Sequence, residues 1–239
     1  MTAPRRATVA AAVVLAATTV AHLVAQLAGA GDVADVTQWF LMPLLAAAVW
    51  LAAGRGRATR LVRLTVVALL LSWLGDTSPD VVPDDLSFVT MLGFFLLAHV
   101  AYLVAFWPLR RDGVLGRQPA VVAAYVVVFL ALVAVCAPGA DELLVPVVVY
   151  GATLSTMAVL ATFDRLAAVG GVAFIVSDSL IALNAFVDGF DLPGYGFWVM
   201  FTYVTAQVLL ALGVLRVASR PVPASPDGAR AGTGSLSPA

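Results

Sequence analysis

The sequence predicts an all-α polytopic membrane protein with eight transmembrane helices and both termini in the cytoplasm, an expectation carried by three observations. Of the 239 residues, 62% are hydrophobic and only 11% charged, with a mean hydropathy of +1.01; a soluble core cannot absorb that composition without leaving large apolar patches outside. The apolar residues fall into eight runs long enough to span a bilayer. All thirteen basic residues are arginines, and they gather at every second end of the runs.

The runs cover residues 7 to 30, 36 to 54, 61 to 77, 87 to 108, 118 to 137, 143 to 162, 166 to 187 and 195 to 217. The first follows Arg5 and Arg6 and ends in Ala28, Gly29 and Ala30, a pattern shared with cleavable signals. Its apolar stretch exceeds the roughly 7–15 residues of a signal core, so an uncleaved first helix is expected. Breakers then punctuate the chain: Gly29 and Gly31, Gly54 and Gly56, Pro79 and Pro83, Gly113 and Gly116, Pro138 and Gly139, Pro193 and Gly194. The link near Asp164 has none.

Arg5 and Arg6, Arg55 to Arg63, Arg110 to Arg117, Arg165, and Arg216 to Arg230 mark the cytoplasmic ends. The opposite ends carry Asp32, Asp35, Asp80, Asp84, Asp85, Asp141, Glu142, Asp188 and Asp191 with no base among them. An even number of helices is what puts both termini on one side, so hydropathy and charge agree. Residues 1–217 read as a single membrane domain, and residues 218–239, rich in Pro, Gly, Ser and Ala, as a disordered cytoplasmic tail. The single cysteine, Cys136, excludes an internal disulfide and reads as core.

Asp76 closes the run LVRLTVVALLLSWLGD, and Asp178 lies inside GGVAFIVSDSLIALNAF. An ionisable group at membrane depth costs roughly 2.5–3.5 kcal/mol on insertion scales and is retained mainly where it faces a protein interior and acts there. Asp76 should sit near the outer end of its helix, partly hydrated, with Ser72 four residues earlier on the same face. Asp178 should be the deeper charge, with Ser177 and Asn184 on one stripe and Gly170 and Gly171 allowing close helix contact. Phe95, His99, Tyr102 and Phe106 form a helical stripe, Tyr203 and Gln207 are four apart, and Tyr150, Thr153 and Met157 follow similar spacing. One polar cavity could collect them. Each also has a plainer role: Asp76 as a helix end dipping into the interface, Asp178 as a hydrogen-bonded structural acid, His99 and the tyrosines as packing groups, and Gln207 as interhelical glue.

No metal or other cofactor is expected. Zinc hydrolases commonly use three protein ligands and a water, whereas this chain has only His22 and His99 and no ligand spacing. The acidic loop TSPDVVPDDLS lacks the ordered oxygens and turn glycine of a calcium loop. There is no GxSxG elbow and no phosphate-cradling glycine loop.

The runs LLLSWLGD, LGFFLLAHVAYLVAF, VGGVAFIVSDSLIALNAF and VMFTYVTAQVLLALG, in this order, resemble the YhhN family of membrane proteins over helices two to eight. The specific pieces are S-x-x-G-D ending helix three, H-x-x-Y in helix four, S-D with A-x-N-x-F in helix seven, and T-Y-x-x-A-Q in helix eight. The chain departs from the family at Met42, before Pro43, where a lysine is usual. The resemblance implies a membrane lysoplasmalogenase that cleaves the vinyl ether of a lysoplasmalogen to a fatty aldehyde and a glycerophosphoethanolamine or glycerophosphocholine. Its partners would be an ether lysophospholipid and the bilayer of the cell membrane, with no nucleic acid.

Vinyl ether cleavage needs an acid to protonate carbon and a base to orient water. The sequence assigns these to Asp178 and Asp76 respectively, with Ser72, Tyr102, Tyr150, Ser177, Asn184, Tyr203 and Gln207 orienting the pair and His99 available to the proton relay. Paired intramembrane acids would equally serve a proton-coupled transporter. A structural role, as a helical partner of another membrane protein, would leave the aspartates dispensable.

Overall fold

The structure, a computed structural model, describes residues 3–220 and contains eight α-helices and no strand among them. They are α1 (Ala3–Ala28), α2 (Gly31–Ala53), α3 (Arg60–Thr77), α4 (Asp84–Phe106), α5 (Pro119–Ala140), α6 (Leu144–Leu160), α7 (Arg165–Phe186) and α8 (Tyr195–Ala218). From residue 221 onward, the expected tail lies outside the described residues. Seven stretches are long and apolar enough to cross a membrane, one of them running over residues 119–163 through α5 and α6. That stretch has 45 residues. At 1.5 Å per residue it is about twice as long as a bilayer's ~30 Å of hydrocarbon, and its two helices fold back on each other.

Consecutive helices pack side by side except at α4 and α5, where α4 lies against α6 instead, while α8 returns to lie against α1, α2, α3 and α7. α8 and α3 bury the most residues of any helices, whereas α5 buries only Cys136 and Ala140. The α7–α8 seam is the closest, because its glycines leave no room for a side chain. A Cβ on Gly170 would meet the backbone of Ala206 and Leu210, and one on Gly213 would meet Ala167. In lipid, where apolar surface gives no drive toward protein, such close van der Waals packing holds helices together.

Two links behave differently from expectation. Pro138 and Gly139 do not end α5, which continues to Ala140 and stops at Asp141 with φ 42°. Gly139 instead allows the end of α5 to touch the backbone of Phe186. The link near Asp164 needs no glycine or proline, because a short 3-10 turn, Ala161–Phe163, leads into an extended Asp164 that caps α7. Its carboxylate accepts the Leu166 and Ala167 amides at 2.8 and 3.4 Å.

The arginine-bearing links converge at one end of the bundle. There the Val114 amide donates to Thr162 Oγ1 at 3.0 Å, Arg216 lies 3.9 Å from Asp164, and Gly56 abuts the backbone of Ala218. The acidic links converge at the other end, where Trp39 Nε1 donates to Asp80 Oδ2 at 2.7 Å. The charge alternation of the sequence therefore corresponds to two physical ends.

Candidate active site

Asp76 sits in the last turn of α3, where Gly75 lets the Phe95 ring of α4 lie directly against the helix. Tyr203 of α8 donates its hydroxyl to Asp76 Oδ2 at 2.8 Å. Gln38 of α2 donates to the Asp76 backbone carbonyl at 3.3 Å, satisfying one of the acceptors a helix end leaves open. Asp76 is 7% exposed, so it is drier than its position at a helix end suggested. The cause is enclosure by α2, α4 and α8.

Asp178, half-buried in the middle of α7, accepts the Tyr150 hydroxyl of α6 at 2.5 Å through Oδ2. It is the more open of the two acids, the reverse of the order that axial depth implied. Ser177 beside it donates to the Val199 carbonyl at 3.1 Å and so fastens α7 to α8.

Asp76, Ser177, Asp178, Asn184 and Tyr203 line one chamber of about 300 Å³ toward the acidic end of the bundle. Asn184 stands exposed at its rim, without a side-chain hydrogen bond among the described residues. Tyr150 joins the group through Asp178. Ser72, Tyr102 and Gln207 do not reach the chamber. They form a row one turn nearer the arginine end, with Tyr102 donating to Gln207 Oε1 at 2.6 Å and Gln207 Nε2 donating to Ser72 Oγ at 3.0 Å. His99 is fully buried between Tyr150 and Phe174, at ring-centroid distances of 5.2 and 4.7 Å, and neither ring nitrogen has a hydrogen-bond partner among the described residues.

His22 lies elsewhere, between α1 and α2, with Nδ1 3.0 Å from both the Ala34 carbonyl and Thr37 Oγ1. The two histidines thus have no shared ligand geometry, and no three His, Cys, Asp or Glu side chains converge among the described residues. Sequence reasoning missed Gln38 and Tyr195, which also line the chamber. Gln38 carried a usable signal, as a lone amide inside the second apolar run.

The arrangement offers two carboxyl groups on one chamber, each held by one tyrosine hydroxyl and walled by aromatic rings. Phe95 and Phe174 both pack edge-on against Tyr203, at 5.6 and 5.7 Å. Such a site can deliver a proton from one acid and orient water on the other.

The lysoplasmalogenases of Mycobacterium bovis and Mycobacterium tuberculosis are each 37% identical over 177 residues, 71% of this chain and 65% of theirs. Lysoplasmalogenase TMEM86B of Rattus norvegicus is 34% identical over 128 residues, 52% of this chain and 51% of its own. This chain therefore spans just under two thirds of the length of the mycobacterial relatives. No solved structure matches it. Residues 33–214, which hold both acids and every residue lining the chamber, match the YhhN family, and the chain belongs to that family.

Proposed function

We propose that this protein is a lysoplasmalogenase of the cell membrane, hydrolysing the vinyl ether of an ether lysophospholipid. The observation that carries the reading is the pair of tyrosine-bonded carboxyl groups on one chamber, in a chain similar to proteins that bear that name. Asp178, the acid more open to a ligand, donates its proton to the β-carbon of the vinyl ether. The adjacent carbon becomes an oxocarbenium centre. Asp76 takes a proton from water as the water oxygen bonds to that centre, giving a hemiacetal. Collapse returns the hemiacetal proton to Asp178 and passes the Asp76 proton to the departing glycerol oxygen. One water is consumed, and both acids are restored.

The membrane arrangement belongs to the same proposal. Eight crossings form one domain over residues 1–217, the arginine end and both termini face the cytoplasm, and the chamber opens toward the outer side. Residues 218–239 form a cytoplasmic tail.

The deciding experiment incubates purified protein with 1-alkenyl-glycerophosphoethanolamine and 1-alkenyl-glycerophosphocholine and measures fatty aldehyde. Aldehyde release that survives a strong chelator is expected. Failure with both head groups across chain lengths would reject the reading, and proton-coupled uptake in vesicles would then support a transporter. Complete loss on chelation with recovery on adding zinc would direct attention back to the histidines.

A further inference from the structure

Beside the chamber runs a second space, a groove of about 60 Å³ bounded by α4, α5, α6 and α7. Its walls are apolar except where Tyr150, Asp178 and the Cys136 thiol enter. Phe88, Met91 and Phe95 of α4, with Asp178 and Ile181 of α7, line both spaces. The groove therefore meets the chamber at Asp178. Along α7 it extends from Asp178 to Phe186, eight residues or about 12 Å of helix.

We propose that this groove holds the unbranched hydrocarbon chain of a single-chain lipid, with the chain's polar end at Asp178, and that Gly151 sets how much chain it accepts. The inference rests on the lysoplasmalogenase reading and deepens it by assigning the place of the alkenyl tail. Three features select this occupant. Water needs polar partners, and the groove offers almost none, so hydrocarbon is its natural content in a bilayer. It is the smaller of the two spaces, about 60 against 300 Å³, which favours a single methylene chain over a second chain or a fused ring. Its continuity with the chamber brings the first carbons of a seated chain to Asp178, where the vinyl ether must lie to be protonated. On this geometry a lysolipid should be accepted and a two-chain lipid refused.

Gly151 on α6 packs directly against the Phe129 ring of α5, and both line the groove. A Cβ at that position would lie 3.0 Å from Phe129 Cε2 and 3.2 Å from Cδ2, so any side chain there narrows the passage. Around Gly93 of α4, by contrast, a Cβ would meet nothing within 4 Å.

The test compares aldehyde release from 1-alkenyl-lysophosphatidylethanolamines with dodecenyl to eicosenyl chains. It uses parent, Gly151→Leu, Leu132→Trp, Phe129→Ala and the control Gly93→Ala, each checked for monodisperse elution and an unchanged melting point. In Gly151→Leu and Leu132→Trp, kcat/KM for the longest chain should fall roughly tenfold or more relative to the shortest. Phe129→Ala should shift preference toward longer chains, and Gly93→Ala should leave the profile as in the parent. An active parent with the same chain profile in all folded groove variants would overturn the groove assignment and leave the lysoplasmalogenase reading standing. A parent that releases no aldehyde would overturn that reading. Calorimetric binding of 1-hexadecyl-lysophosphatidylethanolamine, with or without a loss in Gly151→Leu, would then decide the groove separately.

Discussion

Asp76 and Asp178 each accept one tyrosine hydroxyl and face one chamber, yet their surroundings differ. Asp76 is closed in by α2, α4 and α8, its backbone carbonyl engaged by Gln38, with the Ser72–Gln207–Tyr102 row one turn beneath it. Asp178 stands where chamber and groove meet, its tyrosine partner comes from α6, and the unbonded ring of His99 lies behind that tyrosine. The well-braced acid suits holding water in a fixed place. The acid at the junction suits meeting a ligand.

The largest effect should come from removing the acids themselves. Asp178→Asn keeps the size of the side chain and its ability to accept from Tyr150 but cannot donate the proton, so aldehyde release should drop by about 10²–10⁴-fold with no fall in melting temperature. Asp76→Asn should also be severely impaired, and the comparison asks which is worse. Near-parental turnover in Asp178→Asn would remove Asp178 from the reaction. A variant lacking both carboxyl groups that still released aldehyde would remove the mechanism altogether.

A smaller effect is expected from the tyrosines. Tyr150→Phe and Tyr203→Phe each delete one hydrogen bond to a carboxyl group, worth about 1.5–3 kcal/mol, or roughly ten- to a hundredfold in rate if it is fully expressed in the transition state. Single-turnover measurements on both variants would show whether the two acids depend equally on their partners. Equal losses would weaken the division of labour drawn from burial.

The smallest kinetic effect should follow Gln207→Leu, which leaves the Tyr102 hydroxyl and Ser72 without their partners beneath the chamber. Interhelical hydrogen bonds in membranes average about 0.6 kcal/mol. The melting temperature should therefore fall by a few degrees while kcat/KM of the folded protein stays near the parent's. A large kinetic loss with unchanged stability would place Gln207 in the reaction rather than under it.

Particular residues show how far the sequence could be read. Helix positions were legible to within a few residues because span length and arginine placement are set by the bilayer, which acts on every segment alike. The two acids were legible because charge in an apolar run is costly. Spacing along one helix also showed that Ser72 shares a face with Asp76, and Gln207 with Tyr203. It could not show which faces meet, so the split between a chamber layer and a bracing layer appeared only in three dimensions. The relative burial of the acids was lost for the same reason: axial depth is a property of one helix, whereas burial depends on its neighbours. Asp164 was passed over because a capping carboxylate marks the start of the next helix without carrying a breaker signal.

The pairing of Asp76 with Tyr203 and of Ser72 with Gln207 has a consequence for assembly. Each pair member is separated from the next by four residues, so the two bonds lie one above the other on facing stripes of α3 and α8. Turning either helix by one residue swings its stripe away by about 100° and breaks both bonds at once. Lipid tails are as apolar as leucine and cannot tell one oily face of a helix from another. The polar rungs act as a key that fixes the rotational register of the two central helices, one rung at the chamber and one beneath it.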